Sequence, residues 1–212
     1  METTSVTIPV GSDEREADLA LPDDPGAVVL FARDSGSVRR DDRDRIVAHT
    51  LHQAGIGTLG MDLVAPYETQ ARGNLPEVPL LAERLAQATG WLRDQQETRG
   101  LPIGYFGEGA GTAAALWAAA DVHVGAVVSL SGQPELASER LGDVTAPVLL
   151  IVGGRDEAAL DGHREAKRLL GGAGNLTVVP EAGGLFEEAG PLGDAAELAR
   201  DWFKRYLTPK AS

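Results

Sequence analysis

The segment from Pro102 to Leu116 constrains the fold of this chain more than any other. An apolar strand, Ile103 to Phe106, runs into Gly107-Glu108-Gly109-Ala110-Gly111, and an alanine-rich helix leaves it. Glycine accepts positive φ and lets backbones approach closely. Three glycines at alternate positions therefore predict a tight strand-to-helix corner, a junction that belongs to an α/β architecture.

The rest of the chain repeats that alternation. Val6 to Val10 and Arg15 to Leu21, joined at Gly11-Ser12-Asp13, read as an antiparallel hairpin. Ala27 to Ala32 is a continuous apolar run, the pattern of a strand covered on both faces; Gly125 to Leu130 and Pro147 to Val152 read as further buried strands, and Gly57 to Met61 as a strand. Leu176 to Val179 is the last strand. Between them, Arg39 to Ala54, Val78 to Gln96, Gly111 to Ala120, Ala158 to Leu170 and Pro191 to Tyr206 read as helices. The expected fold is a three-layer, doubly wound, mostly parallel sheet of seven or eight strands. It forms a single domain over residues 1–212, with no separate lid domain.

In such a sheet, ligands sit outside the carboxyl ends of the strands. Four loops of unusual composition leave those ends: Arg33 to Ser37, Gly107 to Gly111, Gly153 to Glu157 and Glu181 to Phe186. The corner has the spacing of a G-x-S-x-G nucleophile elbow, with Gly109 at its centre. Gly153-Gly154-Arg155-Asp156 follows the strand next but one, where a triad acid would stand. The chain resembles the dienelactone-hydrolase-like branch of the α/β-hydrolases from about Val28 to Leu207. The resemblance rests most on Ile103 to Gly107, Ala126 to Ser129, Pro147 to Asp156 and Leu185-Phe186-Glu187-Glu188. It implies a serine or cysteine where this chain has Gly109, and a histidine where it has Gly184. It also implies a His-Gly-Ser-Gly loop where this chain reads Arg33-Asp34-Ser35-Gly36. Of the implied triad only Asp156 remains.

Without a nucleophile there is no acyl-enzyme, and without the histidine no proton shuttle. His49, His52 and His123 lie away from the corner in sequence. His163, on the helix after Asp156, reads as a solvated helix-face residue. What remains is a pocket with charge around it. Asp156, Glu108 and Arg33 are the candidate catalytic groups, and Asp34, Ser35, Ala110, Leu185 and Phe186 the candidate ligand contacts. Arg33 is the expected partner of Asp156, since a buried carboxylate needs one. Ala110 begins a helix, whose positive end suits a carbonyl or anion.

Three functions are consistent with these residues. The first reuses the pocket for cyclisation, isomerisation or elimination on a small apolar, carbonyl-bearing metabolite. The second is an inert pseudo-enzyme that binds a ligand or partner. The third is a hydrolase with an unrecognised nucleophile, such as Ser35, Ser37, Ser129 or Ser131. A formal net charge of −13 argues against nucleic acid and anionic membrane as partners. The chain has no cysteine, and no His/Asp/Glu spacing suggests a metal site. The expectation is no cofactor and a small-molecule ligand, with homo-oligomerisation left open. No apolar run approaches the roughly 20 residues of a membrane span, and no signal pattern opens the chain, so a cytoplasmic protein is expected. The Ala, Gly, Arg and Asp bias resembles that of GC-rich bacteria.

Overall fold

The structure is a computed structural model that describes residues 3–11, 13–33, 42–65, 68 and 77–207. Eight strands form one sheet: β1 (Thr3–Val10), β2 (Asp13–Ala20), β3 (Ala27–Arg33), β4 (Ile56–Asp62), β5 (Ile103–Glu108), β6 (Ala126–Leu130), β7 (Val148–Gly153) and β8 (Gly174–Val179). Their order across the sheet is β1-β2-β4-β3-β5-β6-β7-β8. The β1–β2 hairpin is antiparallel and joins β4 antiparallel; every pairing from β4 onward is parallel. The helices are α1 (Asp42–Gln53), α2 (Val78–Asp94), α3 (Ala110–Asp121), α4 (Glu157–Leu170) and α5 (Ala189–Leu207). The expected three-layer fold is therefore present. Helix α1 is described over Asp42–Gln53; residues 34–41, with Asp34, Ser35 and the first residues of the helix expected from Arg39, lie outside the described residues.

The apolar runs of the sequence become strands buried along nearly their whole length, as in β3, β6 and β7. Alternate residues feed two cores, one on each face. Leu30, Leu59, Tyr105 and Val127 face the layer that holds α2 and α3. Val29, Phe31, Phe106 and Val128 face the layer of α1 and α5. Each such side chain contributes on the order of 1.5–3 kcal/mol. Helix α3 is buried almost all round, so it needs small residues: Ala113, Ala114, Ala115, Ala118 and Ala119 fill it.

The chain after β4 is tied down by charge. Arg84 of α2 grips Glu68 through two bonds, Nη2 to Oε1 at 2.6 Å and Nη1 to Oε2 at 2.9 Å. The same guanidinium donates to the Leu63 carbonyl at 2.6 Å, and the Ala65 amide donates to Glu68 at 2.8 Å. Arg15 of β2 approaches the carboxylate at 3.4 Å. Arg84 above all, and then the Ala65 amide, hold the Glu68 carboxyl down at about 2, against a usual 4.5. A depressed folded-state value means that the stabilisation is complete above the ordinary carboxylate range. It is lost as pH falls toward the folded value. Glu68→Gln is expected to cost about 1–2 kcal/mol at neutral pH, because two guanidinia lose their counter-charge at a site that solvent partly screens. The variant should also lose less stability than the wild type between pH 5 and pH 2. Urea unfolding across that range tests both.

Candidate functional site

The corner forms as the glycines predict. Gly109 has φ 54° and ψ −133°, a conformation that strains any residue with a Cβ. Its carbonyl accepts from the amides of Thr112 at 3.3 Å and Gln133 at 3.0 Å. The flanking glycines are there for space. A Cβ on Gly107 would lie 2.7 Å from the Cα of Thr112, and one on Gly111 would run into the Ala32 carbonyl oxygen. These approaches seat the first turn of α3 directly on β3 and β5. Ala110, the first residue of α3, is buried.

Asp156 stands after β7, one loop away from the corner. It is the N-cap of α4, and its Oδ1 accepts from the Ala159 amide at 3.1 Å. The loop from Pro180 to Gly184 packs on it closely. A Cβ at Gly153 would meet the Gly183 carbonyl at 2.5 Å, and one at Gly154 would meet Pro180 at 2.8 Å. The two glycines before Asp156 thus let the two loops touch. At their contact, a Cβ on Gly184 would collide with Oδ2 of Asp156. The two positions chosen from sequence are immediate neighbours, and the carboxylate occupies the space of a side chain at 184.

Arg33 does not join them. Its Nε lies 2.6 Å from Asp44 of α1 and its Nη1 3.9 Å from Asp62 of β4. Its guanidinium lies over Gly60, where a Cβ would strike Nη2. Strand β4 is on the side of β3 away from β5, so the expected Arg33–Asp156 pair is replaced by Arg33–Asp44. The cause is local: Gly60 leaves a slot, and Asp44 stands in the first described turn of α1.

Among the described residues, Arg43 brings a cation to the corner, and the sequence did not single it out. From the first turn of α1 its Nη1 donates to the Leu185 carbonyl at 2.8 Å, and its Nη2 lies 3.8 Å from Glu108. It bridges the residue before Gly109 and the loop that contains Gly184. Nothing in the charged run from Arg39 to Arg45 distinguishes Arg43 until α1 is laid across the sheet.

Leu185 and Phe186 part company. Leu185 is 61% exposed, whereas Phe186 is buried in the core with Phe31 and Phe106. Phe186 does this at φ 49°, a strained conformation for a residue with a Cβ. His163 is a further correction, being fully buried instead of solvated. Its Nδ1 bonds the Ala159 carbonyl at 2.7 Å, and burial pushes its pKa below the usual value. Among the described residues no group of three or more His, Asp or Glu is placed to hold a metal ion, and no helix is long and apolar enough to cross a membrane.

The juxtaposition of Asp156 and Gly184 gives a thermodynamic prediction. Asp156→Ala should cost about 1 kcal/mol through loss of the cap. Gly184→Ala should destabilise because the carboxylate must leave the Ala159 amide. In the double variant the second cost should largely vanish, giving a coupling above about 0.5 kcal/mol. Additive costs in denaturant unfolding would show that the two residues do not touch.

No protein-family model matches the chain. It is 50% identical over 191 residues, 89% of its length, to two curated proteins from Mycobacterium tuberculosis strains, each named "Putative phosphoribosyl transferase". It spans 43% of the length of those relatives. Among solved structures, a dienelactone hydrolase from Anabaena variabilis is 41% identical, with TM-score 0.92, covering 97% of this chain and 98% of that one. The esterase domain of a Rhodothermus marinus protein shares the fold at 18% identity, with TM-score 0.78, over 98% of this chain and all of that one. An α/β serine hydrolase without a lid from Xanthomonas campestris, also 18% identical, has TM-score 0.77 over 100% of this chain and 98% of that one. With 41% identity over nearly the full length of both chains, this protein belongs to the dienelactone hydrolase branch of the α/β-hydrolases.

Proposed function

We propose that this chain is a hydrolase-fold domain without hydrolytic chemistry, which acts by binding. One observation carries the reading: the Asp156 carboxylate caps α4 and fills the side-chain space of residue 184. A triad needs a histidine there, oriented by that acid and facing a nucleophile. Here glycines stand at both the nucleophile and histidine positions, and the acid is spent on a helix end. Arg43 ties the Leu185 carbonyl toward Glu108 across the same loops. The mycobacterial relatives support a setting for such a domain. Their name and their additional length suit a hydrolase-fold part that accompanies phosphoribosyl transfer instead of cleaving esters.

A second reading is favoured by Glu108. This carboxylate precedes Gly109, is mostly shielded from solvent and lies against Arg43. A shielded carboxylate is a candidate general base. It would serve cyclisation, isomerisation or elimination on a small carbonyl-bearing metabolite.

p-Nitrophenyl acetate turnover separates these from a working hydrolase. Wild type and Asp156→Asn should both hydrolyse it at the rate of a protein surface, within twofold of each other. A rate well above that level, abolished in Asp156→Asn, would contradict the reading. Turnover of a carbonyl metabolite that depends on Glu108 and not on Asp156 would favour the second.

A further inference from the structure

Helix α4 is held to the rest of the molecule by a narrow stripe. Of its 14 residues only His163, Ala166 and Leu170 are buried. It packs on β7, on β8 and on three short 3-10 turns, Pro134–Ala137, Leu141–Asp143 and Gly171–Ala173. His163 is the polar member of that stripe and is fully excluded from solvent. Its Nδ1 lies 2.7 Å from the Ala159 carbonyl. A carbonyl only accepts, so Nδ1 carries the proton and Nε2 keeps the lone pair of a neutral ring. Nε2 is buried and has no hydrogen-bond partner among the described residues. A second proton would put a charge and a new donor there without a described acceptor, at a desolvation cost.

The elements packed on α4 bring few charges to this ring. β7, β8 and the turn Gly171–Ala173 carry no ionisable side chain. The turn Leu141–Asp143 brings Asp143, which is mostly exposed and accepts from Arg140 Nε at 3.2 Å. The turn Pro134–Ala137 brings Glu135, whose Oε2 lies 3.2 Å from the position of a Cβ on Gly162. On α4 itself Asp156 stands at the cap. Burial, the larger effect, pulls the His163 pKa below its usual value, against the Ala159 bond, Glu135 and Asp156, which favour the charged ring.

We propose that His163 is an acid-sensitive latch on α4. While the ring is neutral the helix stays docked and Asp156 stays against Gly184. A proton taken from water at Nε2 undocks the helix and loosens that contact. The undocked helix exposes the ring at its ordinary value, 6.5, and so binds more protons below that pH than the docked one. Docking is therefore strongest above pH 6.5 and is lost as pH falls toward the docked value. Asp156 both caps α4 and fills the space at residue 184, so the latch reaches those two loops whatever they bind.

The test is amide hydrogen exchange followed by NMR at a series of pH values between 7 and 5, corrected for the intrinsic pH dependence of exchange. In the wild type, protection of the α4 amides should fall at least fivefold across that range. At pH 5 these amides should exchange at least tenfold faster than those of β6, because α4 opens without the whole sheet unfolding. The Ala159 amide, which donates to Asp156, should lose protection in step. In His163→Gln, which does not titrate, protection of α4 should change less than twofold, although His49, His52 and His123 still titrate. Should that variant not fold, Glu135→Gln takes its place. It removes a carboxylate that favours the charged ring, so the midpoint of the loss should move to lower pH. Protection of α4 that does not change with pH would overturn the proposal. So would α4 and β6 amides that exchange at one common rate, an Ala159 amide that keeps its protection, a loss that persists in His163→Gln, or a midpoint that Glu135→Gln leaves in place.

Discussion

The contact of α3 with β3 and β5 is the constraint on which the rest of the site depends. Gly111 lies so close to the Ala32 carbonyl that no side chain fits between them, and Gly107 leaves no room for a Cβ against Thr112. Those contacts fix where α3 begins, and so they fix Gly109 at positive φ with its carbonyl held by Thr112 and Gln133. A residue with a Cβ would be strained there by on the order of 1–3 kcal/mol. Glycine avoids nearly all of that cost. The corner positions a helix in the core, whether or not anything at its tip reacts.

The loops around the corner have been put to structural use. Gly153 and Gly154 bring the Pro180–Gly184 segment onto the loop of Asp156, and the carboxylate then turns to the Ala159 amide. Arg155 fastens the same pair of loops from outside by pairing with Glu181 and Glu188. Arg43 ties α1 to the Leu185 carbonyl, and Phe186 is driven into the core at strained φ. Each contact ties together the loops at the carboxyl ends of β5, β7 and β8. On the other side of β3 the space over Gly60 is taken by the Arg33 guanidinium.

The fold was legible in the sequence because its signals are local. Apolar runs of strand length, glycine stops and amphipathic helices each follow from neighbours a few residues apart. The adjacency of Asp156 and Gly184 was legible only through the family resemblance, which gave the two positions as the acid and histidine of one triad; the structure puts them in contact. The orientation of long side chains was not legible. Arg33 could be placed at the end of β3, but its direction depends on Gly60, which is 27 positions away and reaches it only through the β3–β4 pairing. Arg43 is hidden for the same reason, as its partners Glu108 and Leu185 come from distant parts of the chain. His163 has the sequence neighbourhood of a surface residue, and only the packing of α4 buries it.

On the proposed function, this hydrolase fold carries no reactive serine nucleophile. Intact-mass spectrometry after incubation with a fluorophosphonate probe tests it most directly. The protein carries Ser129 and Ser131 near the corner, so an unrecognised nucleophile would be labelled and could be mapped by peptide analysis. The mass should stay unchanged under conditions that fully label a serine esterase. Stoichiometric addition of the probe to one serine, blocked by prior treatment with an ester substrate, would contradict it.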